Sequence, residues 1–157
     1  MKLTEQTITH IIIGSGAAGF QAALRLYQNG ERDLAIITEN IKSGTSRNTG
    51  SDKQTYYKLT LSGNDADSVR NMAEDLFAGQ CVDGDQALCE AALSARCFFA
   101  LTELGVPFPC TEHGKFMGYK TDHDRGRRAT SAGPYTSKLM TEALERSVKE
   151  KQILILD

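Results

Sequence analysis

The sequence has no CxxC pair. Its four cysteines, Cys81, Cys89, Cys97 and Cys110, stand 8, 8 and 13 residues apart. Structural zinc sites and redox dithiols are built from closer pairs, so neither is expected. Long apolar runs are lacking too: the longest near the start, Ile11 to Ile13, is far too short to span a bilayer. No basic segment leads into an apolar stretch of signal-peptide length, which argues against export. Charge of one sign is also absent. With 18 Lys and Arg against 20 Asp and Glu, the formal net charge is −2, and no concentrated basic face is available for nucleic acid or an anionic membrane. There is no GxSxG, and no serine or cysteine has the context of a nucleophile.

What is there is a chain of 157 residues, 40% hydrophobic and 24% charged, long enough for one sizeable core and too short for two ordinary domains. Unpaired cysteines fit a reducing cytoplasm, and Cys89 and Cys97, inside a long apolar-periodic segment, are expected as buried free thiols.

The first element, Thr7 to Ile13, is β-branched and increasingly apolar and reads as a buried strand. Gly14-Ser15-Gly16-Ala17-Ala18-Gly19 follows, then apolar residues at helical spacing to Gln28, with Gly30 where a helix C-terminal glycine belongs. Asp33 to Glu39 is a second strand ending on an acid. The unit over residues 7–39 is βαβ.

The glycines have separate mechanical jobs: Gly14 for the tight turn, Gly16 for close approach of a pyrophosphate, Gly19 for packing of the helix on the sheet. The helix then aims its unpaired N–H groups at the phosphates. Glu39 lies 20 residues after Gly19, where an acid accepts hydrogen bonds from the adenosine ribose and disfavours a 2′-phosphate. A strand before the turn, a helix after it and an acid at this distance together favour a dinucleotide site. FAD and NAD both satisfy the pattern.

Residues 40–54 are polar, without periodicity, and read as a functional loop. Thr55 to Leu61 is a short strand, 62–65 a turn, and Asp65 or Asp67 the cap of a helix reaching about Ala78. Asp85 to Leu104 reads as a long amphipathic helix, so that 65–105 is a helical insertion. Residues 110–134 are irregular, with a hairpin turn at 112–115. A last helix from Tyr135 to Lys151 leads into a third buried strand, 152–157, giving a final helix–strand pair over 135–157. The expectation is a Rossmann-like α/β fold, an incomplete doubly wound domain.

At Ile11-Ile12-Ile13-Gly14-Ser15-Gly16-Ala17-Ala18-Gly19, at the loop Lys42-Ser43-Gly44-Thr45-Ser46, and at Leu104-Gly105-Val106-Pro107-Phe108 followed by Gly114-Lys115, the sequence resembles the succinate dehydrogenase/fumarate reductase flavoprotein family, which includes L-aspartate oxidase. The resemblance spans nearly the whole chain. It implies FAD bound extended, with Glu39 on the ribose; Asn40 is a further candidate cofactor contact. Lys42, Thr45, Ser46, Asn48, Gly50 and Ser51 would lie near the flavin, whose reduced ring backbone and side-chain donors stabilise. The family follows its serine loop with a small-residue run ending in Gly-Gly; Asn48 to Lys53 has one glycine. Succinate dehydrogenases attach FAD through a histidine in this segment. Residues 43–54 contain none, so non-covalent FAD is expected.

The family's substrate-binding and proton-donating residues lie later than residue 157. The chain is therefore expected to be the N-terminal FAD-binding part of a cytoplasmic oxidoreductase acting on a small carboxylate-type substrate, inactive alone and without catalytic residues of its own. The alternatives are a non-catalytic FAD- or ADP-binding module, or part of an NAD-dependent dehydrogenase. The triplet Asp122-His123-Asp124 reads as a solvated loop rather than a metal site, and Arg125, Arg127 and Arg128 as a charged surface turn.

Overall fold

A computed structural model of the chain describes residues 5–61, 66–121 and 124–157. The chain divides into two compact units, Met1–Gly50 with Ser137–Asp157, and Ser51–Thr136.

The first unit is built on a parallel sheet in the order β1-β2-β5, from β1 (His10–Ile13), β2 (Leu34–Ile37) and β5 (Leu154–Leu156). Ile12 pairs with Ile36, and Ile36 with Ile155. Helix α1 (Ala17–Gln28) joins β1 to β2, and helix α5 (Thr136–Glu150) leads into β5. Phe20, Ala23 and Leu24 of α1, Ala143, Leu144 and Val148 of α5, and Leu34 to Ile36 of β2 form its buried core. Asn29 caps α1, and Gly30 follows at φ +100°, as its position after the apolar stripe predicts.

The strands are shorter than the sequence reading, and only β2 is buried through most of its length. Ile11 and Ile13 of β1 are exposed, Ile13 at 85%, as are Leu154 and Leu156 of β5. A parallel strand is buried on both sides only when both sheet faces are covered. Burial here alternates along β1, so one face is covered and the other bears exposed apolar side chains.

The second unit contains the antiparallel pair β3 (Tyr56–Tyr57) and β4 (Ala129–Thr130), and the helices α3 (Val69–Ala78) and α4 (Gly84–Glu103). The helices share a core of Met72, Ala73, Ala87 and Ala91, against which Tyr57 and Leu59 pack. Phe98 anchors a second cluster, its ring 4.7 Å from that of Phe108 and 4.9 Å from that of Phe116. Between these last two, Cys110 bridges Phe116 and Gly114 turns at φ +76°, the hairpin read from the sequence.

Three expectations fail here for local reasons. Ser68, not Asp67, caps α3, accepting from the Asn71 amide at 3.1 Å, because Asp67 is bound to Arg128; Asp65 lies outside the described residues, as does the turn 62–65. Cys89 is exposed and Cys97 half-buried, because the buried stripe of α4 runs Ala87, Ala91, Ser94, Phe98, Leu101 and passes beside both. Arg128 is not on the surface at all: it is fully buried in an ion cluster. Its Nε and one terminal nitrogen bind the two oxygens of Asp67 at 3.0 and 2.7 Å, and its other terminal nitrogen binds Asp75 at 2.7 Å and the Tyr57 hydroxyl at 3.0 Å.

Candidate functional site

The glycine turn lies at the C-terminal ends of β1 and β2, the edge where open α/β sheets take their ligands. Gly14 leaves β1 at φ +103°, a conformation side chains rarely adopt, while its amide donates to the Ile37 carbonyl at 2.8 Å. Gly19 is fixed by contact: a Cβ there would sit 2.1 Å from the Gly14 carbonyl oxygen.

Gly16 differs from both. Its φ of −78° suits any residue, and the nearest atom to a Cβ there is the Ser46 Oγ at 3.5 Å, an ordinary contact. The fold does not itself need a glycine at this position. A Cβ would fill space that the protein leaves open.

Gly16 is also the N-cap of α1, where it supplies no side-chain cap, and the first turn of α1 carries no acid. The amides of Ala18 and Gly19 have no hydrogen-bond partner among the described residues. The Ala17 amide meets only the Ser46 hydroxyl, at 3.4 Å. Uncapped N–H groups at the positive end of a twelve-residue helix suit an anion. The glycines, the open space and the donor set thus fit a pyrophosphate.

Around this mouth, Ser15 is buried and its hydroxyl contacts that of Thr38 at 2.9 Å and the Asn40 carbonyl at 3.3 Å. Asn40 organises the turn after β2: its carbonyl accepts from the Ser43 hydroxyl at 2.8 Å and its side-chain oxygen from the Lys42 amide at 2.8 Å. Glu39 stands exposed, two residues past the end of β2, and its carboxylate has no partner among the described residues.

The 40–54 stretch is not wholly irregular. A single helical turn, α2 (Thr45–Asn48), interrupts it, too short to reveal itself as a period. Gly44 enters that turn so close to the glycine motif that a Cβ on it would lie 3.3 Å from the Gly16 Cα. Asn48, although exposed, folds back over the turn: its amide nitrogen donates to the carbonyls of Lys42, Ser43 and Gly44 at 2.8, 3.1 and 3.0 Å. Arg47, which the sequence reading passed over, pairs with Glu145 and, at 3.3 Å, with Glu142 of α5. Burial pushes the Glu145 carboxyl up, but Lys149 and Arg47 outweigh it and hold it below the usual range.

The first unit therefore assembles Gly14 to Gly19, Asn40, and the segment Lys42 to Asn48 with Thr45 and Ser46. Gly50 is the last residue of that segment of the unit. Ser51 belongs to the second unit, where its amide donates to the Pro134 carbonyl at 3.0 Å.

Elsewhere the chemistry is sparse. A concavity of about 360 Å³ involves Ile8, Arg32, Asp33, Lys151 and Ile153, at the opposite, N-terminal ends of the strands. No group of three metal-ligating side chains occurs among the described residues, and Asp122 and His123 lie outside them. Nor, among those residues, is any helix long and apolar enough to cross a membrane.

A parallel βαβ sheet with a glycine-cornered, anion-ready helix mouth defines a dinucleotide-binding protein. Residues 9–156 match the FAD binding domain family, so the chain belongs to that family and FAD is its cofactor. The flavoprotein resemblance seen at the glycine turn is borne out.

Solved structures share the fold. Mycobacterium smegmatis Sdh1 superposes with a TM-score of 0.78 at 18% identity, over 94% of this chain and 26% of that one. E. coli quinol fumarate reductase gives 0.74 at 20% identity, over 93% and 25%. A 3-ketosteroid-delta4-(5alpha)-dehydrogenase from Rhodococcus jostii RHA1 gives 0.70 at 16% identity, over 98% and 38%. The chain thus spans between a quarter and two fifths of the length of these proteins. No curated protein matches by sequence.

Proposed function

We propose that this chain provides the FAD-holding part of an oxidoreductase that exchanges hydride with a small, carboxylate-type substrate. The observation that carries the reading is Gly16: a glycine that neither backbone angle nor protein packing requires, at the mouth of a helix whose first amides are uncapped. In this reading the amides of Ala17, Ala18 and Gly19 hold the pyrophosphate. Glu39 accepts hydrogen bonds from the adenosine ribose, with Asn40 shaping the turn beneath it. Lys42, Thr45, Ser46, Asn48 and Gly50 line the approach to the flavin.

When bound, FAD supplies two-electron chemistry at its N5 atom. This chain's contribution is to bind, orient and neutralise charge. Attachment is non-covalent, because residues 43–54 offer no histidine. The similarity in fold to a quinol fumarate reductase supports a dicarboxylate substrate for the whole protein, whereas the steroid dehydrogenase shows that the same fold occurs outside carboxylate chemistry.

The test is cofactor titration of the purified chain, followed by the visible bands of oxidised flavin and by calorimetry. Glu39→Ala should weaken FAD binding by about 1–3 kcal/mol, the scale of a lost charged hydrogen bond. Unchanged affinity contradicts the ribose assignment. Preference for NADH over FAD would transfer the chain to nicotinamide chemistry.

A further inference from the structure

We propose that Arg47 is a positioning residue. It anchors the turn at residues 44–48 to α5 and so sets the flavin-side wall of the cofactor site. The inference rests on the FAD reading above and adds a residue that no glycine-motif argument identifies.

Three observations converge on it. The turn is pressed against the glycine motif: a Cβ on Gly44 would lie 3.3 Å from the Gly16 Cα, and the Ser46 hydroxyl lies 3.4 Å from the Ala17 amide. The turn therefore continues the wall of the site from the edge of the helix mouth. Arg47 joins the turn to a long element of the first unit. Arg47, 11% exposed, ion-pairs with Glu145, equally buried, and with the more exposed Glu142 one helical turn earlier. A longer contact between the Thr49 and Ser137 hydroxyls at 3.3 Å lies just beyond.

Finally, the arrangement leaves the Arg47 Nε buried without a partner among the described residues. The two terminal nitrogens instead make the reach from a single-turn helix to two carboxylates on α5. Asn48 gives the turn its internal shape by gathering three carbonyls, and Arg47 gives it an address.

The variant that separates this role from folding is Arg47→Gln. Glu145 keeps Lys149 at 2.5 Å when Arg47 is gone, so no buried carboxylate is stranded. Two readouts are taken on the full chain: amide hydrogen exchange across residues 42–49 without cofactor, and dissociation constants for FAD and for ADP. ADP reports the helix mouth and ribose end but not the flavin side.

Arg47→Gln should accelerate exchange across 42–49 while α1 and β2 stay protected. FAD binding should weaken by about tenfold, the cost of ordering a released loop on binding, and ADP binding should change little. Arg47→Lys should restore much of the FAD affinity. Unchanged exchange in the turn overturns the proposal, as does equal weakening of FAD and ADP. If the unaltered chain binds neither nucleotide, the cofactor reading fails, and the exchange result still decides whether Arg47 tethers the turn.

Discussion

Two arginines of this chain, Arg128 fully buried and Arg47 11% exposed, show how the same side chain serves different ends. Arg128, in the second unit, is enclosed by Asp67, Asp75 and the Tyr57 hydroxyl, and each of its nitrogens has a partner. Tyr57 in turn donates to Asp124, and burial followed by that bond pushes its hydroxyl up to about 12. Burial raises the Asp67 carboxyl, but Arg128 and the amides of Thr60 and Ser68 overcome it and bring it down to about 2. Arg47, in the first unit, has two carboxylates but an Nε without a partner among the described residues, and it sits on a single helical turn. The first arrangement is saturated and locks β4 to α3. The second is under-coordinated and holds a loop in place. Enclosure on every nitrogen fits an arginine that holds the unit together, and a bridge from a single turn to α5 beside the ligand edge fits the positioning role proposed above.

The sharpest way to break this contrast is Arg128→Ala. It strands the Asp67 carboxylate in a buried cluster, while Asp75 keeps Arg125 at 2.7 Å, and should cost about 3–5 kcal/mol, read by urea denaturation. A loss no larger than that of Arg47→Gln, where Lys149 still serves Glu145, would erase the distinction. The pH profile adds a sign. Asp67 has a folded value below its unfolded one, so its contribution is present above the ordinary carboxylate range and is lost as pH falls towards 2. Arg128→Ala should flatten that acid limb.

A smaller effect, of opposite direction, is expected at Lys58. This side chain is 1% exposed, its ammonium 4.8 Å from the centre of the Phe98 ring and without a carboxylate among the described residues, and burial lowers its pKa. Lys58→Met should stabilise the chain by about 1 kcal/mol at neutral pH, the scale of a buried polar group lacking a hydrogen bond. Because the folded state favours the neutral amine, stability of the unaltered chain rises with pH towards the ordinary lysine value, and the gain should shrink there. A destabilised variant would show that the contact with the Phe98 ring outweighs the burial.

The parts of the fold that were legible in the sequence are those written in local periods. The glycine turn, α1, the acid after β2 and the helix α4 each announce themselves within one window of residues. What was not legible is long-range pairing. β3 and β4 are two residues each and find one another across more than seventy positions, and Arg128 meets Asp67 across 61. Their residues carry no pattern that names the partner. Asp67 looked like a helix cap because any acid before a helix does, and only the buried guanidinium explains why Ser68 has that task. Ile11 and Ile13 looked buried because an apolar run does not say how many faces of its sheet are covered. At the candidate site the motif glycines could be read directly, but Gly44 and Arg47 could not. Their importance lies in a close approach and an ion pair with residues far along the chain.

The most direct test of the central claim is FAD titration of Gly16→Ala beside the unaltered chain and Gly19→Ala. The added methyl at Gly16 meets no atom closer than 3.5 Å, so its melting temperature should hold, whereas at Gly19 it meets the Gly14 oxygen at 2.1 Å and should destabilise the unit. If a pyrophosphate rests on this helix mouth, Gly16→Ala folds normally and loses FAD affinity by roughly tenfold or more. A folded Gly16→Ala chain that binds FAD as tightly as the unaltered one would contradict it.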